Sequence, residues 1–290
     1  MSDEAGGDTG GDTGTASGDG TGATDGRSGA GPVRSLVGLS LDAGVARLRL
    51  ADPRHRNALS KRLSDDLADA VDRALAGGAR AIVLTAEPPV FCAGGSLDGL
   101  LDRRVPLAEM YAGMTRLAEA PVPTIAAVGG PAIGAGVNLP LACDIVIAGT
   151  SARFDPRFLD AGIHPGGGHL WRLSRRIGSQ GAAALVLCGD TLTGAEAAAA
   201  GLAWRCVEDA DLDATALRLA RRAADRPAAL VRRTKDSLRR STMTSDPAQA
   251  ADVELRAQQW SVEQPEFAEA VRRIQRAVSE RAGTREDTAT

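Results

Sequence analysis

Two glycine-rich segments hold the residues best suited to receive a reacting group. They are Phe91-Cys92-Ala93-Gly94-Gly95-Ser96-Leu97 and Gly129-Gly130-Pro131-Ala132-Ile133-Gly134-Ala135-Gly136-Val137-Asn138. Small residues let a substrate come close to the main chain. Backbone N–H groups at the start of a helix have no intrahelical acceptor and point outward. Two such donors aimed at one point stabilise a negatively charged oxygen. Neither segment has the Gly-Lys-Ser/Thr ending or the full Gly-x-Gly-x-x-Gly spacing of a phosphate loop. Taken singly, each also fits a plain turn after a strand.

Groups able to move protons gather in Phe154-Asp155-Pro156-Arg157-Phe158-Leu159-Asp160-Ala161-Gly162-Ile163-His164-Pro165. A histidine titrates near neutral pH, and an aspartate within reach can fix its tautomer. Asp160 and His164 are therefore the acid/base candidates. Each has a structural alternative: Asp160 as the cap of a local turn, His164 as a satisfied histidine before proline. His169 reads as the start of a helix through Trp171, Leu173 and Ile177. Two histidines and one aspartate on one short loop give no metal-ligand spacing, so no metal is expected. Cys92, Cys143, Cys188 and Cys206 are widely spaced and sit in apolar surroundings, which reads as four reduced core thiols.

The elements that must position these residues alternate. Leu36–Leu41 and Val45–Leu50 have period two around Asp42-Ala43-Gly44 and predict a hairpin. Ser60 caps a predicted helix over Lys61–Ala76, ended by Gly77-Gly78. Ala81–Thr85, Thr124–Val128 and Asp144–Ala148 are short apolar runs of the kind found in buried parallel strands. Helical patterns lie at Leu107–Ala118 and Ala135–Ala142. Beyond Gly166 the pattern turns helical. A capping box, Thr193 with Glu196, opens Gly194–Ala200. A short strand follows at Ala203–Val207, then helices at Asp211–Ala224, Ala228–Arg240, Pro247–Ser261 and Pro265–Arg281. The class is α/β.

The bulk composition narrows the partners. Residues 1–31 contain no large apolar side chain beyond the initiating Met1 and read as a disordered Gly/Thr/Asp-rich tail. The formal charge of −3 gives no reason to expect nucleic acid. No apolar run is long enough to cross a bilayer, and no secretory pattern is seen. A cytoplasmic protein is expected, with no nucleic acid and no membrane as partner.

The two loops together, in their order and flanks, resemble the enoyl-CoA hydratase/isomerase (crotonase) superfamily. Asp52-Pro53-Arg54-His55-Arg56-Asn57-Ala58-Leu59-Ser60 is similar to that family's early Arg-Asn-Ala-Leu segment. Phe91–Leu97 and Pro121–Gly136 resemble its two loops, Cys143-Asp144 its Cys-Asp pair, and Pro165-Gly166-Gly167-Gly168 its glycine turn. Ala195–Leu202 resembles its later Ala-Glu-Glu-Ala stretch. The resemblance runs from about Leu36 to the C-terminus. It implies a crotonase (ClpP-like) spiral of ββα turns over residues 32–206 and a helical trimerisation region over 207–290. It also implies a homotrimer or homohexamer, and an acyl-CoA substrate with no cofactor beyond the coenzyme A that is part of the substrate. The thioester carbonyl would rest on the N–H groups of Gly95 and Ala135, which stabilise the enolate. Ala93, Ser96 and Leu97 would contact the coenzyme through the backbone, and Arg54, Arg56 and Ala58 would lie beside its phosphate or pantetheine region.

One departure from the family bears on the reaction. The two glutamates of a hydratase align with Asn138 and Phe158, neither of which transfers a proton at neutral pH. Asn138 is left to orient a water or substrate group, and Phe158 to shape the pocket. The expectation is an acyl-CoA enzyme of hydratase/isomerase type. A non-catalytic acyl-CoA-binding protein, or a family reaction such as decarboxylation or thioester hydrolysis, stays open.

Overall fold

The computed structural model describes residues 34–101 and 104–286, with side chains through residue 279. The tail expected over residues 1–31 lies outside the described residues. In chain order the first elements are β1 (Val37–Asp42), β2 (Val45–Leu50), α1 (Lys61–Ala76), β3 (Ala81–Ala86), α2 (Leu97–Leu101), α3 (Leu107–Met110) and α4 (Ala112–Glu119). Next come β4 (Thr124–Val128), β5 (Pro131–Ile133), α5 (Asn138–Ala142), β6 (Ile145–Gly149), β7 (Arg153–Asp155) and α6 (His169–Leu187). The chain continues with β8 (Leu192–Thr193), α7 (Gly194–Ala199), β9 (Arg205–Val207), α8 (Asp209–Ala224), α9 (Ala228–Ser241), α10 (Pro247–Val262) and α11 (Pro265–Glu286).

A six-stranded sheet has the order β1-β2-β3-β4-β6-β9. Only the β1–β2 pair is antiparallel; the remaining neighbours run parallel. Ala43 and Gly44, both with positive φ, make the two-residue hairpin turn, whose twist matches that of the strands. The central strands are buried on both faces, which explains their unbroken apolar runs. On one face Leu48, Leu50, Ile82, Leu84, Ala126, Val128 and Val146 pack with α1 residues Leu63, Leu67 and Val71. On the other, Val45, Val83, Ile125, Ala127 and Ile147 meet Leu212, Ala216, Ala220 and Ala224 of α8. The expected caps form: Leu63 N donates to Ser60 Oγ at 3.1 Å, and Thr193 and Glu196 close a capping box.

The structure differs from expectation in four places. The helix read over Leu107–Ala118 breaks at Tyr111, where φ is −102° and ψ is 0°, giving α3 and α4. The helix read from Ala135 starts as a 3-10 turn, Gly134–Val137, before α5. β5, β7 and β8 form a second sheet, whose two- and three-residue strands are too short to show period two. Cys188, just past α6, is exposed rather than in the core, whereas Cys92 and Cys143 are buried. All four thiols are free.

The helix α9 is tied to the sheet by a buried cation. Lys235 Nζ donates to Val122 O at 2.6 Å and to Asp144 Oδ2 at 2.5 Å. The same carboxylate accepts from Thr124 N and Oγ1 at 2.7 and 3.0 Å. No described helix is long and apolar enough to cross a membrane.

Candidate active site

The two glycine-rich loops leave β3 and β4 and lie backbone to backbone. Cys92 N donates to Pro131 O and Ile133 N to Cys92 O at 2.9 Å, a parallel bridge of Cys92 with Ala132. A Cβ at Gly136 would stand 2.3 Å from Cys92 O, so only glycine permits this approach. Gly94, at φ +92°, would carry a Cβ 2.6 Å from Ile133 O and 3.5 Å from Ala135 N. On its other side the first loop bridges Leu59: Leu59 N donates to Gly94 O at 2.7 Å and Ser96 N to Leu59 O at 2.8 Å. Backbone groups alternate in direction along an extended strand, so this pairing turns the Gly95 N–H away from Leu59. Ala135 is the second residue of the 3-10 turn, where N–H groups lack an intrahelical acceptor.

Gly95 and Ala135 both line one cavity of about 280 Å³. That is under twice the roughly 150 Å³ that accommodates benzene in a protein core. Leu59, Leu100, Met110, Ile133, Phe158 and Ile163 make most of the wall apolar. Arg157 and Asp160 add charge, and Tyr111 adds the one phenol in the chain. In such a space a carbonyl oxygen can meet main-chain donors while an apolar group fills the remainder.

Of the other residues singled out from the sequence, Ala93, Leu97, Phe158 and Asp160 line this cavity. His164 does not. It is exposed, and its Nδ1 lies 2.8 Å from Pro165 O, a local contact that accounts for the ring without a substrate. Ser96 N donates to Leu59 O and Ser96 O accepts from Leu100 N, so its backbone is engaged within the protein. Arg54 and Arg56 are exposed and Ala58 half-buried on the turn beside the first loop, where Arg56 O accepts from Ala93 N at 3.0 Å.

Asn138 is fully buried and its side chain faces the protein, not the cavity. Its Nδ2 donates to Gly166 O at 3.1 Å, which leaves Oδ1 to accept from His169 Nδ1 at 2.7 Å. Each polar atom of the amide thus has a partner within the protein, and the side chain ties the Gly166 turn to His169. His169 carries its proton on Nδ1, and its buried Nε2 has no partner among the described residues. Burial pushes the ring down to about 4, so it is neutral at physiological pH. The Phe158 ring packs edgewise against it at 4.9 Å between centroids, and of the two only Phe158 lines the cavity.

Tyr111 was not legible as a site residue. It sits at the break between α3 and α4, within a stretch whose sequence pattern is continuously helical. Its only signal in the sequence is that it is the sole tyrosine. Burial raises its hydroxyl above the usual phenol range, so it stays protonated. Among the described residues no three His, Cys, Asp or Glu side chains come together to hold a metal ion.

The enoyl-CoA hydratase/isomerase family pattern matches residues 40–275. A Mycobacterium tuberculosis protein described as probable enoyl-CoA hydratase EchA14 is 38% identical over 244 residues, 79% of this chain and 93% of its own length. The 1,2-epoxyphenylacetyl-CoA isomerase of Escherichia coli K12 is 35% identical over 199 residues, 64% of this chain and 75% of its own. Among solved structures, a "putative enoyl-CoA hydratase" of Thermobifida fusca in complex with CoA superposes with a TM-score of 0.72 at 34% identity, covering 81% of this chain and 95% of that one. The enoyl-CoA hydratase of Bacillus anthracis gives 0.79 at 26% identity, covering 83% and 96%. The strand order, the paired loops and these matches agree, and the chain belongs to the enoyl-CoA hydratase/isomerase (crotonase) family.

Proposed function

We propose that the protein is an enzyme of hydratase/isomerase type that holds an acyl-CoA thioester with its carbonyl oxygen on the N–H groups of Gly95 and Ala135. The observation that carries this reading is that two loops some forty residues apart contribute these positions to one largely apolar cavity. Charge that develops on the oxygen as an enolate forms meets donors already oriented, each worth about 3–4 kcal/mol. The acyl group occupies the apolar wall. Arg54 and Arg56 stand exposed beside the first loop, where the coenzyme's phosphates can reach them. Asp160 is the carboxylate of the cavity wall and takes the acid/base role in this reading. The acyl-CoA is substrate, and no further cofactor is invoked. Exposed Leu230, Leu238, Leu255, Phe267 and Ile274 on α9–α11 support assembly into trimers or pairs of trimers.

The test is a series of enoyl-CoA esters from crotonyl-CoA upward, followed for water addition and double-bond migration. Gly95→Pro deletes one donor while leaving the loop's hydrogen bonds to Leu59 in place, and should lower kcat/KM by about 10²–10³-fold. Full activity in this variant would sink the assignment. A second reading, acyl-CoA binding without turnover, is favoured by Asn138 and Phe158, which supply no carboxylate. Tight binding with no conversion of any ester would select it, whereas conversion lost in Asp160→Asn would exclude it.

A further inference from the structure

Most polar side-chain atoms near the cavity are accounted for by the protein. Both ends of the Asn138 amide are engaged. His169 packs against Phe158. Arg157 is paired with Asp155. The hydroxyl of Tyr111 differs. No hydrogen bond to a described residue engages it, and it is not among the buried polar atoms that lack a partner, which are Arg80 Nε, His169 Nε2 and Ser241 Oγ. It is therefore not fully enclosed, and Tyr111 is one of the residues that line the cavity.

The phenol is held in place from behind. A Cβ at Gly166 would lie 2.9 Å from Tyr111 Oη, and one at Gly167 would lie 2.7 Å from its Cδ1. The ring thus rests on bare glycine backbone. That backbone is fixed in turn: Gly166 O by Asn138 Nδ2, and Gly167 O by Arg172. At its own end, Tyr111 O accepts from Thr115 N at 2.9 Å, and Gly113 N donates to Ser64 Oγ at 2.9 Å, locking α4 onto α1. A donor with a fixed ring and no protein acceptor suits an acceptor that arrives with the ligand.

We propose that Tyr111 Oη donates a hydrogen bond to an oxygen on the acyl chain near the thioester, so that the cavity selects oxygenated acyl groups over plain hydrocarbon ones. Asn138 starts α5 one turn beyond Ala135 and holds Gly166, on which the phenol lies. The phenol's support is thus coupled through the Gly166 turn to the helix that follows Ala135, and the oxygen tested is one at carbon 3, two bonds from the carbonyl carbon. The phenol stays protonated and transfers no proton; it recognises, and it sets specificity. The inference rests on the thioester reading above.

The experiment compares Kd values of butyryl-CoA, (R)- and (S)-3-hydroxybutyryl-CoA and free CoA for the wild-type protein and Tyr111→Phe. One net hydrogen bond predicts that the better hydroxy enantiomer binds about three- to tenfold more tightly than butyryl-CoA. Tyr111→Phe keeps the ring on Gly166 and Gly167, so it should erase that preference, read as the ratio of the two Kd values within the variant, while Tm stays unchanged. Equal binding of the hydroxy and plain esters by wild type, or a preference that survives in Tyr111→Phe, overturns the proposal. If neither ester binds more tightly than free CoA, the thioester reading itself fails and the Tyr111 assignment falls with it.

Discussion

Asn138 Oδ1 accepts the Nδ1–H of His169 at 2.7 Å, across 31 residues of sequence, where the family's glutamate would face substrate. Replacing Asn138 by Leu keeps the volume but strips the donor from Gly166 O and the acceptor from His169. Gly166 O keeps the backbone N–H of His169 at 3.2 Å, so one buried group, His169 Nδ1, is left without a partner, which should cost about 1–3 kcal/mol. The measurement is the urea midpoint; an unchanged midpoint would show that the pair contributes nothing to the fold.

His169 also gives stability a pH dependence with a defined sign. Its ring is held down to about 4 in the folded protein, against 6.5 for an unperturbed histidine. Between those values the unfolded chain binds the extra proton, so stability rises with pH there. The contribution is complete above about 6.5, is lost as pH falls toward 4, and amounts to about 3 kcal/mol. His169→Asn retains a donor for Asn138 and should flatten this part of the stability profile. A profile equally steep in the variant would place the titration elsewhere.

The loop contact makes two glycines behave differently. Gly136→Ala drives a Cβ into the Cys92 carbonyl, which is backbone and cannot yield. It should lower stability by about 1–3 kcal/mol or more and lose ligand binding together with it. Gly95→Ala meets only the Leu100 side chain at 3.3 Å, so its Tm should stay within a few degrees of wild type. Equal losses in the two variants would mean that the loops do not approach as described.

Thiol chemistry reads out burial directly. The Cys92 and Cys143 thiols are enclosed, and burial pushes each up to about 12. Cys188 is exposed. A maleimide added to the native protein should label Cys188 first and spare Cys92 and Cys143 until denaturant is present. Early mass addition on peptides carrying Cys92 would contradict the packing of the first loop.

Elements whose signal is local could be read from the sequence: the hairpin around Ala43-Gly44, the Ser60 cap, and the Thr193–Glu196 box. The loops could be read too, because glycine at Gly94 and Gly136 reports how close two backbones must come. The side-chain directions could not. Whether Asn138 faces substrate or protein depends on Gly166 and His169, which only the fold brings beside it. His164 and His169 carry the same ring in the sequence, yet His164 lies at the surface while His169, read as a helix start, lies inside. Tyr111 escaped notice because no proline or glycine stands at the break itself, and the close approach of Gly113 to Ser64 of α1 is seen only in the fold.

The bare backbone at Gly166 and Gly167 carries one further consequence. Because the phenol leans on main chain, the depth of the chamber is governed by residues that never touch its contents. Adding a single methyl at position 167 would push the Tyr111 ring forward and narrow the room for the acyl tail, with every other wall-forming side chain left as it was. Selectivity in this protein can thus be retuned from outside the chamber.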